Sequence, residues 1–117
     1  MMRIVNKDDP VTVGELTEMA ERLFGGLVKA VVDIKRGIMA VDADLHADQE
    51  DELISAGSTQ ADLWGINLYP DLFATEDFVE FDSVINIRPV MGNRSRGVED
   101  DPLRNEIVSI VAGLVKA

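Results

Sequence analysis

Apolar residues recur along this chain with two different periods, and the switch between the periods marks out the elements. Leu16, Met19, Ala20, Leu23, Phe24 and Leu27 fall at helical spacing and predict one stripe of an amphipathic helix. Ahead of them, Thr12-Val13-Gly14-Glu15 has the spacing of a capping box, and Gly25-Gly26 supplies a permissive backbone for the helix end. Full burial of Leu16, Met19, Leu23 and Phe24 would contribute about 6 to 12 kcal/mol before ordering entropy is counted. Val28 to Ile34 and Ile38 to Ala43 are short runs rich in valine and isoleucine, joined by Lys35-Arg36-Gly37, so they predict a β-hairpin. Asp48 to Ala56 predicts a shorter, acid-rich helix, apolar mainly at Leu53 and Ile54 and closed by Gly57.

Further on the period drops to two. Trp64, Ile66 and Leu68 would share one face of a strand, and Phe81, Ser83, Ile85 and Ile87 one face of another. The two runs echo each other as I-N-[LI]-x-P, which puts Asn67, Tyr69, Asn86 and Arg88 on the opposite faces and ends each strand at a proline. Between them, Asp71 to Glu80 is an acid-rich connection whose Phe73 and Phe78 are expected to fold back onto the core. Asp101-Pro102 marks a last helix start, followed by the stripe Leu103, Ile107, Ile110, Val111 and Leu114. Residues 1–11 read as a leading arm or short strand around Ile4 and Val5, closed by Asp8-Asp9-Pro10. This order predicts an α+β, two-layer domain spanning 1–117, with a mainly antiparallel sheet of about four strands packed by two longer helices and one short helix.

Composition narrows the picture. The chain has 117 residues, 46% of them apolar but only 5% aromatic, which suits one folded domain with an aliphatic core. Its net charge of -11 repels phosphate backbones and argues against duplex nucleic acid as a partner. With no cysteine, disulfides, thiolate nucleophiles and cysteine metal sites are excluded. The start MMRIVNKDDP has no apolar stretch of secretory length, and these features together point to the cytoplasm. The longest apolar run, Ile107 to Val115, is interrupted by Ser109 and Gly113 and falls well short of the roughly 20 residues that span a bilayer.

Against that acidic background, the loop Gly92-Asn93-Arg94-Ser95-Arg96-Gly97 carries two arginines and no acid, with Arg88 shortly before it. Planar guanidinium groups suit carboxylates and phosphates, so Arg88, Asn93, Arg94, Ser95 and Arg96, with Asn67 and Asn86 as a polar floor, form a candidate anion site. It is not a P-loop, because the lysine and hydroxyl of that motif are missing. The competing reading pairs Arg94 and Arg96 with Glu99, Asp100 and Asp101 and leaves no vacancy. A second constellation is Asp42, Asp44 and His46, which would share a face and hold a divalent ion if the strand ran through residue 46. Asp44 and Asp48 are equally good helix caps, however, and the chain has one histidine. His46 is a possible general base, but no serine lies in a nucleophile motif.

The segments GIMAVDADLHAD, DLWGINLYP, FDSVINIRP and GNRSRGVED resemble those of a family of short uncharacterised prokaryotic proteins of unknown function. The resemblance covers nearly all the chain and implies a free-standing single-domain protein, without implying any activity or ligand. Three readings therefore follow from the residues. The first is binding of a small anionic molecule or an acidic partner segment at the arginine loop, without enzymatic activity and without a cofactor. The second is a metal-assisted phosphoester hydrolase built on Asp42, Asp44 and His46. The third is a homo-oligomer whose arginines meet acids of a neighbouring copy.

Overall fold

The computed structural model describes residues 2–117. In chain order the elements are β1 (Arg3–Val5), β2 (Val11–Thr12), α1 (Val13–Leu23), β3 (Val28–Asp33), β4 (Ile38–Val41), α2 (His46–Ser55), β5 (Leu63–Leu68), β6 (Val79–Glu80), α3 (Asp101–Leu114) and β7 (Val115–Lys116). Five of the strands form one sheet in the order β1-β4-β3-β5-β6, with each neighbouring pair antiparallel. The α+β class and the mainly antiparallel sheet are as the sequence predicts. The fifth strand is the leading segment, whose Arg3, Ile4 and Val5 pair with Val41, Ala40 and Met39.

Local chemistry explains the well-defined ends. Glu15 N–H donates to the Thr12 hydroxyl at 3.1 Å while Thr12 N–H donates to the Glu15 carboxylate at 2.9 Å, completing the capping box of α1. The hairpin turns through Gly37 at φ +65. Fully buried Asp33 braces that turn: its Oδ1 accepts the amides of Lys35 and Arg36, and its Oδ2 accepts the Ser58 hydroxyl at 2.6 Å. The last helix is capped one residue earlier than expected, by Asp100, whose carboxylate accepts from Leu103 N–H at 2.9 Å. Asp101 is then the first helical residue, with Pro102 after it, where a missing amide costs nothing.

Alternation along the strands sends side chains to two different covers. Ala30, Val32, Met39, Val41, Trp64, Ile66 and Leu68 face α1 and α3 and form the main core with Leu16, Met19, Ile107, Val111 and Leu114. The parallel pairing of Val11 with Val115 and Thr12 with Lys116 ties the start of α1 to the end of α3 on that side. Val31, Ala40 and Leu63 point the other way and meet Leu53 of α2, with Ile85 packed beside them. The stripe of α1 is shorter than expected, since Leu23 and Phe24 are exposed and only Leu16, Met19 and Ala20 are buried. The Phe24 ring instead lies under the Lys29 ammonium at 4.9 Å.

The main departure concerns residues 81–88, which are expected as a strand on their alternation. Strand β6 stops at Glu80, and Val84–Asn86 form a 3-10 turn. The Ser83 hydroxyl accepts from Ile85 N–H at 3.3 Å, a local bond that competes with strand pairing. Helix α2 also begins earlier than expected, at His46, so β4 does not run through that residue.

Candidate functional site

Because β6 is so short, most of the outer edge of β5 is left without a strand partner among the described residues, and the side chains of Asn86 and Arg88 take its place. Gly65 N–H donates to Asn86 Oδ1 at 2.8 Å, and Asn86 Nδ2 donates back to the Gly65 carbonyl at 2.9 Å, so one side-chain amide replaces a strand residue. The same Nδ2 also donates to the Arg96 carbonyl at 2.9 Å. Two residues further along the edge, Arg88 donates to the Leu63 carbonyl at 2.6 Å; its guanidinium lies 4.6 Å from the Trp64 ring centre and pairs with Glu50 of α2 at 3.4 Å. Burial pulls the Arg88 pKa down and the Glu50 carboxylate opposes that shift. Asn67 donates to the Glu80 carboxylate at 2.9 Å and to the Asp82 carbonyl at 3.3 Å. The echoed asparagines thus have different tasks, one inside a strand and one capping that strand's edge.

The arginine loop is braced from within. Asn93 is buried; its Nδ2 donates to the carbonyls of Asn86, Ser95 and Gly97, and its Oδ1 accepts from Glu99 N–H. The amides of Arg94 and Ser95 converge on the Glu99 carboxylate at 2.6 and 2.8 Å, which holds its pKa below the usual carboxylate value. Arg96 Nε donates to Asp82 at 2.6 Å. Ser95 supplies its hydroxyl to Gly97 N–H at 3.2 Å. Of the loop's guanidinium groups, Arg94 alone makes no ion pair among the described residues, and it is exposed. Glu99 therefore holds the loop through its backbone, while the acid that pairs with Arg96 is Asp82.

Asp42, Asp44 and His46 are not gathered on one face. Asp42 sits at φ +67 just past β4 and pairs with Arg22 at 3.2 Å; Asp44 is exposed in the connection; His46 opens α2. Among the described residues no group of three or more His, Asp or Glu side chains has metal-binding geometry. The His46 Nε2 lies 2.8 Å from the Ile66 carbonyl, so it carries a proton and donates. The ring lies near Gly65, where an added Cβ would stand 3.2 Å from His46 Cδ2 and 2.5 Å from Ser83 Cβ. Burial is the main cause holding the His46 pKa below its ordinary value; the hydrogen bond to the Ile66 carbonyl opposes it most, Asp82 opposes it less, and Lys29 and Arg96 add to the depression.

That depression has a direction in pH. A histidine that binds its proton more weakly when folded makes the unfolded state the better proton acceptor, so stability rises with pH through this region and falls on acidification. The loss is expected to begin near the ordinary histidine value of about 6.5, with a slope of at most about 1.4 kcal/mol per pH unit from this group. His46→Gln keeps a donor for the Ile66 carbonyl and cannot titrate. Urea unfolding of both proteins across that interval should show a shallower slope for the variant, and equal slopes would rule His46 out as the cause.

A concave feature lies on the far side of β6. The connection Phe73 to Phe81 and the outer face of α3 enclose a groove of about 570 Å³, floored by Phe73, Phe78, Val79, Phe81, Val108, Val111 and Ala112. Phe73 and Phe78 meet edge to face with ring centres 5.2 Å apart. A second chamber of about 610 Å³ continues from it, sharing Glu76, Val79, Phe81 and Arg104 and adding Tyr69, Leu72, Asp77 and Glu80. Arg104 is held against the wall, its guanidinium 4.3 Å from the Phe81 ring centre and bonded to the Val98 carbonyl at 3.1 Å. Tyr69 donates to Glu80 at 2.9 Å, and that carboxylate raises the phenol pKa. At the rim, Ala74 has φ +68, a left-handed conformation that costs a non-glycine residue about 1 kcal/mol. The acid-rich 71–80 segment and its two phenylalanines are visible in the sequence, but nothing there pairs them with Arg104 or Val108.

No helix among the described residues is long and apolar enough to cross a membrane. No curated protein and no solved structure matches the chain. A family model described as "Protein of unknown function (DUF5674)" does match residues 3–114, and the chain belongs to that family.

Proposed function

We propose that this chain is a binding domain and that the groove between the 73–81 segment and α3 is its ligand seat. One observation carries the reading: a concavity of about 570 Å³ with three phenylalanines on its floor and Glu76, Arg104 and Asn105 at its sides. Ligand seats are commonly concave, mostly apolar and supplied with a few polar groups that set orientation. Nile red, an uncharged dye that brightens in apolar surroundings, is expected to bind saturably at one site per chain. Ala112→Trp, at an exposed position of α3 that lines the groove, fills the seat without entering the core and should lower the dye's affinity at least tenfold. Dye binding that is absent, or indifferent to Ala112→Trp, would remove the reading.

A second reading is favoured by the arginine loop itself. Asn93 and Glu99 use up the loop's own polar groups internally, so that Arg94 and part of Arg96 are what it offers to the outside. Exposed Val84, Ile87, Val90 and Met91 lie in the same stretch of chain, and Val90 is fully exposed at 102%. Arginine beside aliphatic and methionine surface suits an acidic partner segment or a small anion. In the same titrations, inorganic phosphate or an acidic peptide should bind in a manner lost with Arg94→Ala and unaffected by Ala112→Trp.

A further inference from the structure

We propose that the groove takes an extended polypeptide segment of a partner, alternating apolar and basic residues, which adds as a strand to the outer edge of β6. The inference rests on the groove being the binding seat and goes on to name its occupant.

Strand β6 is the last strand of the sheet, so among the described residues no strand pairs with its outer side. Tyr69 N–H donates to the Phe78 carbonyl at 2.9 Å, and Asn67 is paired with Glu80. In an antiparallel ladder alternate residues direct their backbone groups to the same side, so Phe78 and Glu80 face β5 while the N–H and C=O of Val79 point outward. Peptides that add to such an edge gain affinity from backbone bonds and specificity from alternate side chains. The alternation is already set by β6. Val79 packs toward the main core, and Glu80 reaches the opposite face to meet Asn67 and Tyr69. An incoming strand would place its apolar residues over Phe73, Phe78 and Val108 and its basic residues beside the carboxylates.

Charge selects the sign of those residues. Glu76, Asp77 and Glu80 line the second chamber and none of them makes an ion pair among the described residues. The one cation in that chamber, Arg104, is already stacked on Phe81 and bonded to Val98. The net charge of -11 on the chain further attracts basic segments and repels acidic ones at a distance.

The test uses the intact protein and an acetylated, amidated octapeptide of alternating lysine and valine, followed by fluorescence anisotropy. Two control peptides accompany it, one with glutamate for lysine and one N-methylated along a single backbone edge. Affinity for the lysine peptide is expected to exceed that for the glutamate peptide at least tenfold. N-methylation should weaken binding by a similar factor, because it blocks strand pairing while keeping charge and apolar surface. Glu76→Lys combined with Asp77→Lys, both at exposed positions, should weaken binding and reduce its salt dependence. Equal affinity for the two charge types, or for the methylated peptide, overturns the proposal, as does binding that survives Ala112→Trp. If Nile red occupies the groove but the lysine peptide does not bind, the occupant is wrong and the seat stands. If neither binds, both fall.

Discussion

Asn86→Ala is expected to lower the unfolding free energy by about 3 to 5 kcal/mol. The side-chain amide of Asn86 satisfies the N–H and C=O of Gly65 and the carbonyl of Arg96, and Asn86 itself is fully buried. Truncation leaves the buried Gly65 donor and acceptor without their side-chain partner, at about 1 to 3 kcal/mol for each unsatisfied group. Asn86→Asp should be no milder, because a carboxylate accepts from Gly65 N–H but faces two carbonyl oxygens to which it cannot donate. Against a typical total of about 5 to 15 kcal/mol for a domain, either change is a large fraction. Urea unfolding would show a lower midpoint at unchanged slope. A loss under about 1 kcal/mol would mean that the edge of β5 finds other partners and that Asn86 is not its cap.

Gly65→Ala probes the same junction by crowding it. The new methyl would stand 2.5 Å from Ser83 Cβ and 2.6 Å from Ser83 Oγ, with the His46 ring at 3.2 Å. Neither neighbour can give easily: Ser83 caps the 3-10 turn and is almost fully buried, and His46 is tied to the Ile66 carbonyl. Overpacking of this kind typically costs about 1 to 3 kcal/mol, and contacts this close put Gly65→Ala toward the upper end. Ser83→Gly removes both close atoms at a smaller cost of its own, so the double variant should recover part of the loss. A coupling of about 1 kcal/mol or more in that double-mutant cycle is expected, whereas strict additivity would show that the clash is relieved elsewhere.

These two expectations sit at the place where the sequence is hardest to read. Phe81, Ser83, Ile85 and Ile87 alternate as a strand does, and Ile85-Asn86-Ile87-Arg88-Pro89 repeats the pattern of a segment that includes true strand residues. Alternation reports which side chains share a face if the backbone is extended, but it does not report where a backbone donor will find its acceptor. Here Ser83 Oγ bonds its own turn and Asn86 bonds another strand's backbone, so the segment gives up pairing and supplies side chains to an edge. The buried face of α2 was hidden for a related reason. His46, Gln49 and Leu53 are its buried residues, a helical stripe in which two of the three are polar. Gln49 earns its place by donating to the Lys29 carbonyl at 2.7 Å, a partner 20 residues away.

The sequence by itself determined the features whose causes lie within a few residues. The Thr12 and Glu15 capping box, the Gly37 turn, the helix start at Asp101-Pro102, the strands β3 and β5, the first part of the α1 stripe and the stripe of α3 all follow from local geometry and are present. The arginine loop was also visible, as a run of charge without its own acids. Only the tertiary structure decided that Glu99 holds the loop by its amides and that Asp82, 14 residues back, pairs with Arg96. It likewise decided that the 73–81 segment and α3 enclose a groove. Such features depend on which distant groups meet, and that is set by how apolar faces stack once the local elements exist, a choice that no short window of residues contains.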